Sequence, residues 1–157
     1  MIDIYIHVVN LDWYYYDSRT DGVWLPLPFT KEQLNDMYRC VTGNISNTPL
    51  CIKESESRKL DVVVNPLADI FELNAIAKRL TRLGKREFVK LAAIVEMNNW
   101  SRGKMQDFAN IMEDLSVIDK YKFFAGVQNS AGLKKHFPYG MPNAAIYTSY
   151  GALVPKY

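Results

Sequence analysis

Three groups of side chains in this 157-residue chain have the residue types and spacing to do chemistry. The acidic group is Glu54, Glu56 and Asp61. If Glu54 and Glu56 lie on one strand they share a face, because alternate residues of a strand point the same way. Asp61 then joins them across a hairpin, and three such carboxylates can hold a divalent ion of the kind a nuclease needs. The same pattern also describes the solvated face of a small sheet. The histidines add little: His7 lies inside a strand pattern, and His136 stands beside Phe137 with no serine, cysteine and acid arranged around it. There is no glycine-rich dinucleotide loop, no phosphate-binding lysine loop and no His-Glu-x-x-His. No catalytic residue and no cofactor are expected.

The second group is basic. Lys78, Arg79, Arg82, Lys85 and Arg86 crowd a short stretch, and the first three share a helix face at steps of three and four. Such a cluster can engage phosphates or an acidic protein surface, or it can be a solvated helix end where cations are favoured. The third group is the aromatic run Trp13-Tyr14-Tyr15-Tyr16. Consecutive rings on an extended segment face both ways, so some are expected at the surface. There they can anchor a protein interface or stack on unpaired bases, or simply cover a sheet edge.

The elements that must position these groups follow from periodicity. Residues 2 to 9, IDIYIHVV, read as a strand. Gly22 to Leu25 reads as a second, ended by Pro26 and Pro28. Thr30 with Gln33 three residues on is a capping box, opening a helix with Leu34, Met37, Tyr38 and Val41 on one stripe and stopping at Gly43. Residues 50 to 54 and 59 to 64 read as two strands around an SESR turn. From 67 to 97 the pattern is that of two helices joined at Gly84. Leu67, Ile70, Phe71, Leu73, Ile76, Ala77, Leu80 and Leu83 form the first stripe. In the second, Phe88, Leu91, Ala92 and Val95 are widened by Val89, Ala93 and Ile94. Asn65 and Pro66 are placed to cap the pair, Gly84 to take the left-handed position between them, and the pair to form the core of a helical bundle. After a break at Asn98-Asn99-Trp100, Ser101 opens a third helix carrying Met105, Phe108, Ala109, Met112 and Leu115. The segment KYKFFAGV reads as a short strand or an extended connection, Ser130 to His136 as a helical turn or two, and the remaining tail as irregular but packed.

Sheet first and helices second argue for an α+β class, with a small sheet domain over residues 1–64 and a helical domain over 65–157. The chain is 48% hydrophobic and 23% charged, as a folded protein should be. Nineteen Lys and Arg against seventeen Asp and Glu give a net charge of +2, which marks neither a general polyanion binder nor a polyanion mimic. Cys40 and Cys51 have no Cys-x-x-Cys or nearby histidine, so two thiols are expected rather than a metal site. Residues 1 to 15 carry Asp3 and no basic leader region, and no apolar run reaches membrane-spanning length. The expected location is the cytoplasm.

With these elements in place a family pattern emerges. The chain carries an N-terminal strand, a turn at Tyr16-Asp17, Gly22-x-Trp24 in a second strand and a capped helix around Glu32 to Val41. Glu72-Leu73-Asn74 opens a leucine-rich helix, Met105 to Leu115 is followed by Lys120-Tyr121 to Val127, and Tyr147 to Gly151 holds Tyr-x-x-Tyr-Gly. In these features it resembles the ArdA-type antirestriction proteins of conjugative elements and phages. The resemblance implies an elongated α+β protein, often a dimer, that occupies the DNA groove of type I restriction–modification enzymes by displaying carboxylates as DNA does. This sequence departs from that pattern. Residues 1–30 carry four Asp against Arg19, a net of −3, and the remainder carries 18 basic and 13 acidic residues, a net of +5. A duplex turn of ten pairs presents on the order of twenty charges, which this chain does not supply.

The function expected is therefore an anti-defence protein of a phage or mobile element, acting in the bacterial host by binding a type I restriction or CRISPR enzyme. Trp13, Tyr14, Tyr15 and Tyr16, with the basic cluster, are its candidate anchors. The alternatives are a module that grips a guide RNA or an RNA–protein complex and, further off, the metal-dependent nuclease.

Overall fold

The structure is a computed structural model and describes residues 2–12, 22–42 and 49–156. It is α+β, as the sequence predicts, and divides into two compact units, Met1–Arg82 with Asp107–Ala109 and Leu83–Gln106 with Asn110–Tyr157. The division falls at Arg82/Leu83 rather than after residue 64.

In the first unit, β1 (Ile4–Asn10) is flanked by β2 (Gly22–Leu27) and β3 (Leu50–Ser57), both antiparallel to it. Ile4, Ile6 and Val8 alternate into the core, which explains why β1 takes the central place. Pro26 lies inside β2 instead of ending it, which an edge strand tolerates because only one side of its backbone must pair. Ser55-Glu56-Ser57 extends β3 rather than turning; the turn falls at 58–60, and only Val62–Val63 (β4) is strand beyond it.

Helix α1 (Lys31–Thr42) opens on the expected capping box: Thr30 N donates to Gln33 Oε1 at 2.8 Å and Gln33 N to Thr30 Oγ1 at 3.1 Å. Met37 and Val41 are its fully buried contacts. Helix α2 (Ile70–Thr81) is capped by Asp69, whose carboxylate accepts from Phe71 N, while Asn65 serves one turn earlier by accepting from Leu67 N. Ile70, Leu73, Ala77 and Leu80 are buried, but Leu67 and Phe71 of the expected stripe are exposed. Asn74 is the reason α2 belongs with the sheet: its buried Oδ1 accepts from Phe29 N at 2.8 Å, just beyond β2.

In the second unit, α3 (Lys85–Arg102) runs straight through Asn98-Asn99-Trp100 and ends at left-handed Gly103. Gly84 caps its start at φ −63°, so the left-handed position expected there lies at the other end of the helix. Lys90 to Glu96 are all buried, as an all-round apolar pattern requires. The two central helices thus fall in different units. The third helix is shorter than expected. After β5 (Gln106–Asp107) comes a 3-10 turn over Phe108–Asn110, residues 107–109 of this stretch counting with the first unit, and α4 covers only Ile111–Leu115, with Met105 exposed.

The segment read as a short strand or extended connection is a strand, β6 (Tyr121–Ala125), while the tail read as irregular supplies β7 (Ile146–Thr148) and β8 (Gly151–Pro155). The three form an antiparallel sheet with β8 in the middle. The short helix α5 (Ser130–Lys134) adds Leu133 to a small core with Ala152 and Val154, covered by Phe124, Val127, Phe137, Ala145 and Tyr147. Gly151 begins β8 at φ +151°, where any Cβ would strike the Phe124 carbonyl oxygen. Only glycine therefore lets the two strands meet at that point. Among the described residues, no helix is long and apolar enough to cross a membrane.

Candidate functional site

The register of the first sheet places two rows of side chains on its outer face. Trp24, His7 and Glu54 form one row, and Pro26, Tyr5 and Glu56 the next. Trp24 stacks on His7 with ring centroids 5.0 Å apart and planes 24° from parallel. His7 is 9% exposed, and its Nδ1 stands 3.8 Å from Glu54 Oε1, beyond hydrogen-bond range. The Arg58 guanidinium lies 5.6 Å from the Tyr5 ring centre and 3.5 Å from Glu56 Oε2, a cation held by a ring and a carboxylate together. Tyr5, Trp24, Glu56 and Arg58 line a shallow groove of about 370 Å³ here.

A second groove, of about 440 Å³, lies in the second unit between α3 and edge strand β6. Helix α3 supplies Arg86, Glu87 and Lys90; Arg86 and Lys90 stand four residues apart and so share a face. Strand β6 supplies Tyr121 and Lys122. Lys156 joins them because its backbone N donates to Lys120 O at 3.0 Å, continuing the β6–β8 ladder past Pro155. Arg86 Nη2 lies 3.4 Å from Phe123 O, tying the helix to the strand. Lys90 is only 8% exposed, yet it lines the groove and makes no hydrogen bond or ion pair with another described residue. Among the described residues, four cations therefore surround this groove with one exposed carboxylate, Glu87.

Two carboxylates of α3 and α4, Glu96 and Asp114, turn inward. Asp114, wholly buried, accepts from Asn98 Nδ2 at 2.5 Å and from Gln106 Nε2 at 2.6 Å, with Arg102 Nη2 3.6 Å away. Glu96 accepts from Ser149 N and from Ser149 Oγ at 2.6 Å, anchoring the turn between β7 and β8. These are structural hydrogen bonds, and they keep negative charge off the surface. The units accordingly differ in sign. The first holds twelve Asp and Glu against nine Lys and Arg, a net of −3, whereas the second holds five against ten, a net of +5.

Of the residues singled out from the sequence, Trp13, Tyr14, Tyr15 and Tyr16 lie outside the described residues. The basic cluster is shared between the units: Lys78, Arg79 and Arg82 are exposed residues of the first, while Lys85 and Arg86 open the second. Only Arg86 of the five lines the basic groove. Glu54 and Glu56 do share a face, opposite His7 and Tyr5. Glu54, Glu56 and Asp61 nonetheless do not form a metal site, and among the described residues no group of three His, Cys, Asp or Glu does. Cys40 is an exposed free thiol and Cys51 a buried one, whose ionisation burial pushes upward. The sequence reading missed Lys90, Lys122 and Lys156. The four-residue step from Arg86 to Lys90 was available as a signal, but the other two depend on a sheet whose pairing is long-range. No protein-family model matches the chain, and no curated protein matches it.

Proposed function

We propose that this protein is a non-catalytic anti-defence inhibitor that binds a nucleic-acid-handling enzyme of its bacterial host, either a type I restriction enzyme or a CRISPR effector. The observation that carries the reading is the outer face of the first sheet. There Trp24, Tyr5 and Arg58, the residue types that dominate binding hot spots, stand together on an open groove. The carboxylates around them do not make a phosphate-like array. Glu56 is paired with Arg58, Asp3 with Lys59 and Asp36 with Arg39, so recognition runs through rings and shape rather than through DNA mimicry.

The test mixes the purified protein with a type I restriction enzyme and with CRISPR nucleases and follows DNA cleavage. Inhibition of one of them, weakened at least tenfold by Trp24→Ala or Arg58→Ala with folding retained, is the expected result. Full cleavage by every enzyme tested removes the reading. The resemblance to antirestriction proteins also makes a homodimer part of this proposal, which sedimentation checks directly. A second reading, a nucleic-acid-binding module, is favoured by the basic groove of the second unit.

A further inference from the structure

The basic groove gathers like charges around one packed side chain. Lys90 buries its stem in the fold while its ammonium stays accessible at the groove. No opposite charge or hydrogen-bond acceptor among the described residues holds that ammonium. Instead its groove neighbours are Arg86, Lys122 and Lys156, which raise the local positive potential further. Two carboxylates of this unit, Glu96 and Asp114, are committed to Ser149 and to Asn98 and Gln106. Among the described residues Glu87 is the one carboxylate at the groove, exposed in the first turn of α3.

We infer that this groove is a phosphate-binding site that takes a phosphorylated nucleotide unit, with Lys90 at its floor and Arg86, Lys122 and Lys156 around its rim. Three features fit that ligand class. Three ammonium groups and a guanidinium match the several oxygens and multiple charge of phosphate better than a single carboxylate. The cavity, about 440 Å³, is the size of a small-ligand pocket. Tyr121, half-buried at the same wall, offers a ring face and a hydroxyl to a sugar or base. The site deepens the nucleic-acid reading where the phosphate belongs to a strand. It is independent of the aromatic face on the first unit.

The experiment uses the full chain and four probes: a 5′-labelled single-stranded RNA, the same sequence as single-stranded DNA, ATP, and a poly-glutamate peptide of matched charge. Fluorescence anisotropy at rising salt follows the strands, ATP and the peptide enter as competitors, and thermal melting monitors folding. The wild type is expected to bind at least one phosphate probe. Contact with three or four phosphates of a strand sets the slope of log K against log salt near −2 to −3. Lys90→Met, which keeps the buried stem and removes the charge, should weaken binding at least tenfold while leaving the melting temperature equal or higher. Lys122→Gln should weaken it less and flatten the slope by about 0.7.

Competition by ATP as strong as by the unlabelled strand assigns the site to free nucleotides. Weak competition by ATP assigns it to strands. Both outcomes support a phosphate site. Three results overturn it: no binding of any phosphate probe at 50 mM salt, binding unchanged in folded Lys90→Met, or poly-glutamate competing as well as the phosphate probes. Because Trp24→Ala leaves this groove intact, nuclease inhibition and phosphate binding can fail separately.

Discussion

The first unit keeps three of its carboxylates near the surface in ion pairs: Asp36 with Arg39, Glu56 with Arg58, Asp3 with Lys59. The second unit takes two of its five carboxylates inside, Glu96 and Asp114, and spends them on Ser149, Asn98 and Gln106. Both units hold a three-stranded antiparallel sheet with a well-buried central strand, β1 in one and β8 in the other. The contrast between them is in how acid is used. Where those acids stay outside, Arg39, Arg58 and Lys59 find partners beside them. Where acids are drawn into the fold, ten cations face three exposed carboxylates, Glu87, Glu113 and Asp119. A net charge of +2 for the whole chain conceals both facts.

The sharpest way to break this comparison is to remove one acid of each kind. Asp114→Ala strips a buried carboxylate from two amide donors and an arginine, and should cost about 3–5 kcal/mol in urea unfolding. In Glu96→Ala the Ser149 hydroxyl and amide lose their acceptor at a partly buried turn, and about 1–3 kcal/mol is expected. Deleting the Thr30 hydroxyl of the α1 capping box, as Thr30→Ala, should cost about 1 kcal/mol. Glu56→Gln and Asp36→Asn, acting on exposed pairs, should change stability by no more than about 0.5–1 kcal/mol each. If the exposed acids proved as costly as the buried ones, the distinction drawn here between the units would fail.

The smallest effect is a pH dependence at Cys51. Burial raises its thiol pKa in the folded protein. The unfolded chain therefore loses that proton first as pH rises past the ordinary thiol range. Fewer protons are then bound in the unfolded than in the folded state, and stability falls with rising pH. Between pH 7 and 9.5 the urea midpoint should drop further for the wild type than for Cys51→Ala. Cys40, exposed, should be alkylated well before Cys51 in the native protein.

Local signals in the sequence carried much of the first unit. The β-branched alternation of β1 and the Thr30/Gln33 capping box each depend on neighbours a few residues away, and each is present as read. What escaped the sequence depends on distant partners. Strand β7 is three residues long and β8 five, and both sit among prolines, glycines and tyrosines that individually favour turns. They become strands only because β8 pairs with β6 from across a helix and a long connection. The candidate site inherits that difficulty. Arg86 was visible as part of a basic run, but its grouping with Lys122 and Lys156 is made by the β6–β8 ladder. On the first unit, the aromatic face was expected at Trp13 to Tyr16, whereas the described face is built by Trp24, His7 and Tyr5. Strand register set that face, while the Trp13–Tyr16 run lies outside the described residues.

The ladder between β1 and β3 shifts by one residue between His7 and Val8, so that Lys53 has no opposite number. On either side of that single surplus residue, Ile52 faces inward while Glu54 and Glu56 face out. Delete it and the two halves close into one regular ladder, Val8 opposite Ile52 and His7 opposite Glu54, with each side chain kept on its face; delete a regularly paired residue such as Ser55 instead and the parity of one half must invert. A scan that removes residues one at a time along this strand would then find its most forgiving point at the exposed Lys53 and heavier losses at the regularly paired positions on either side.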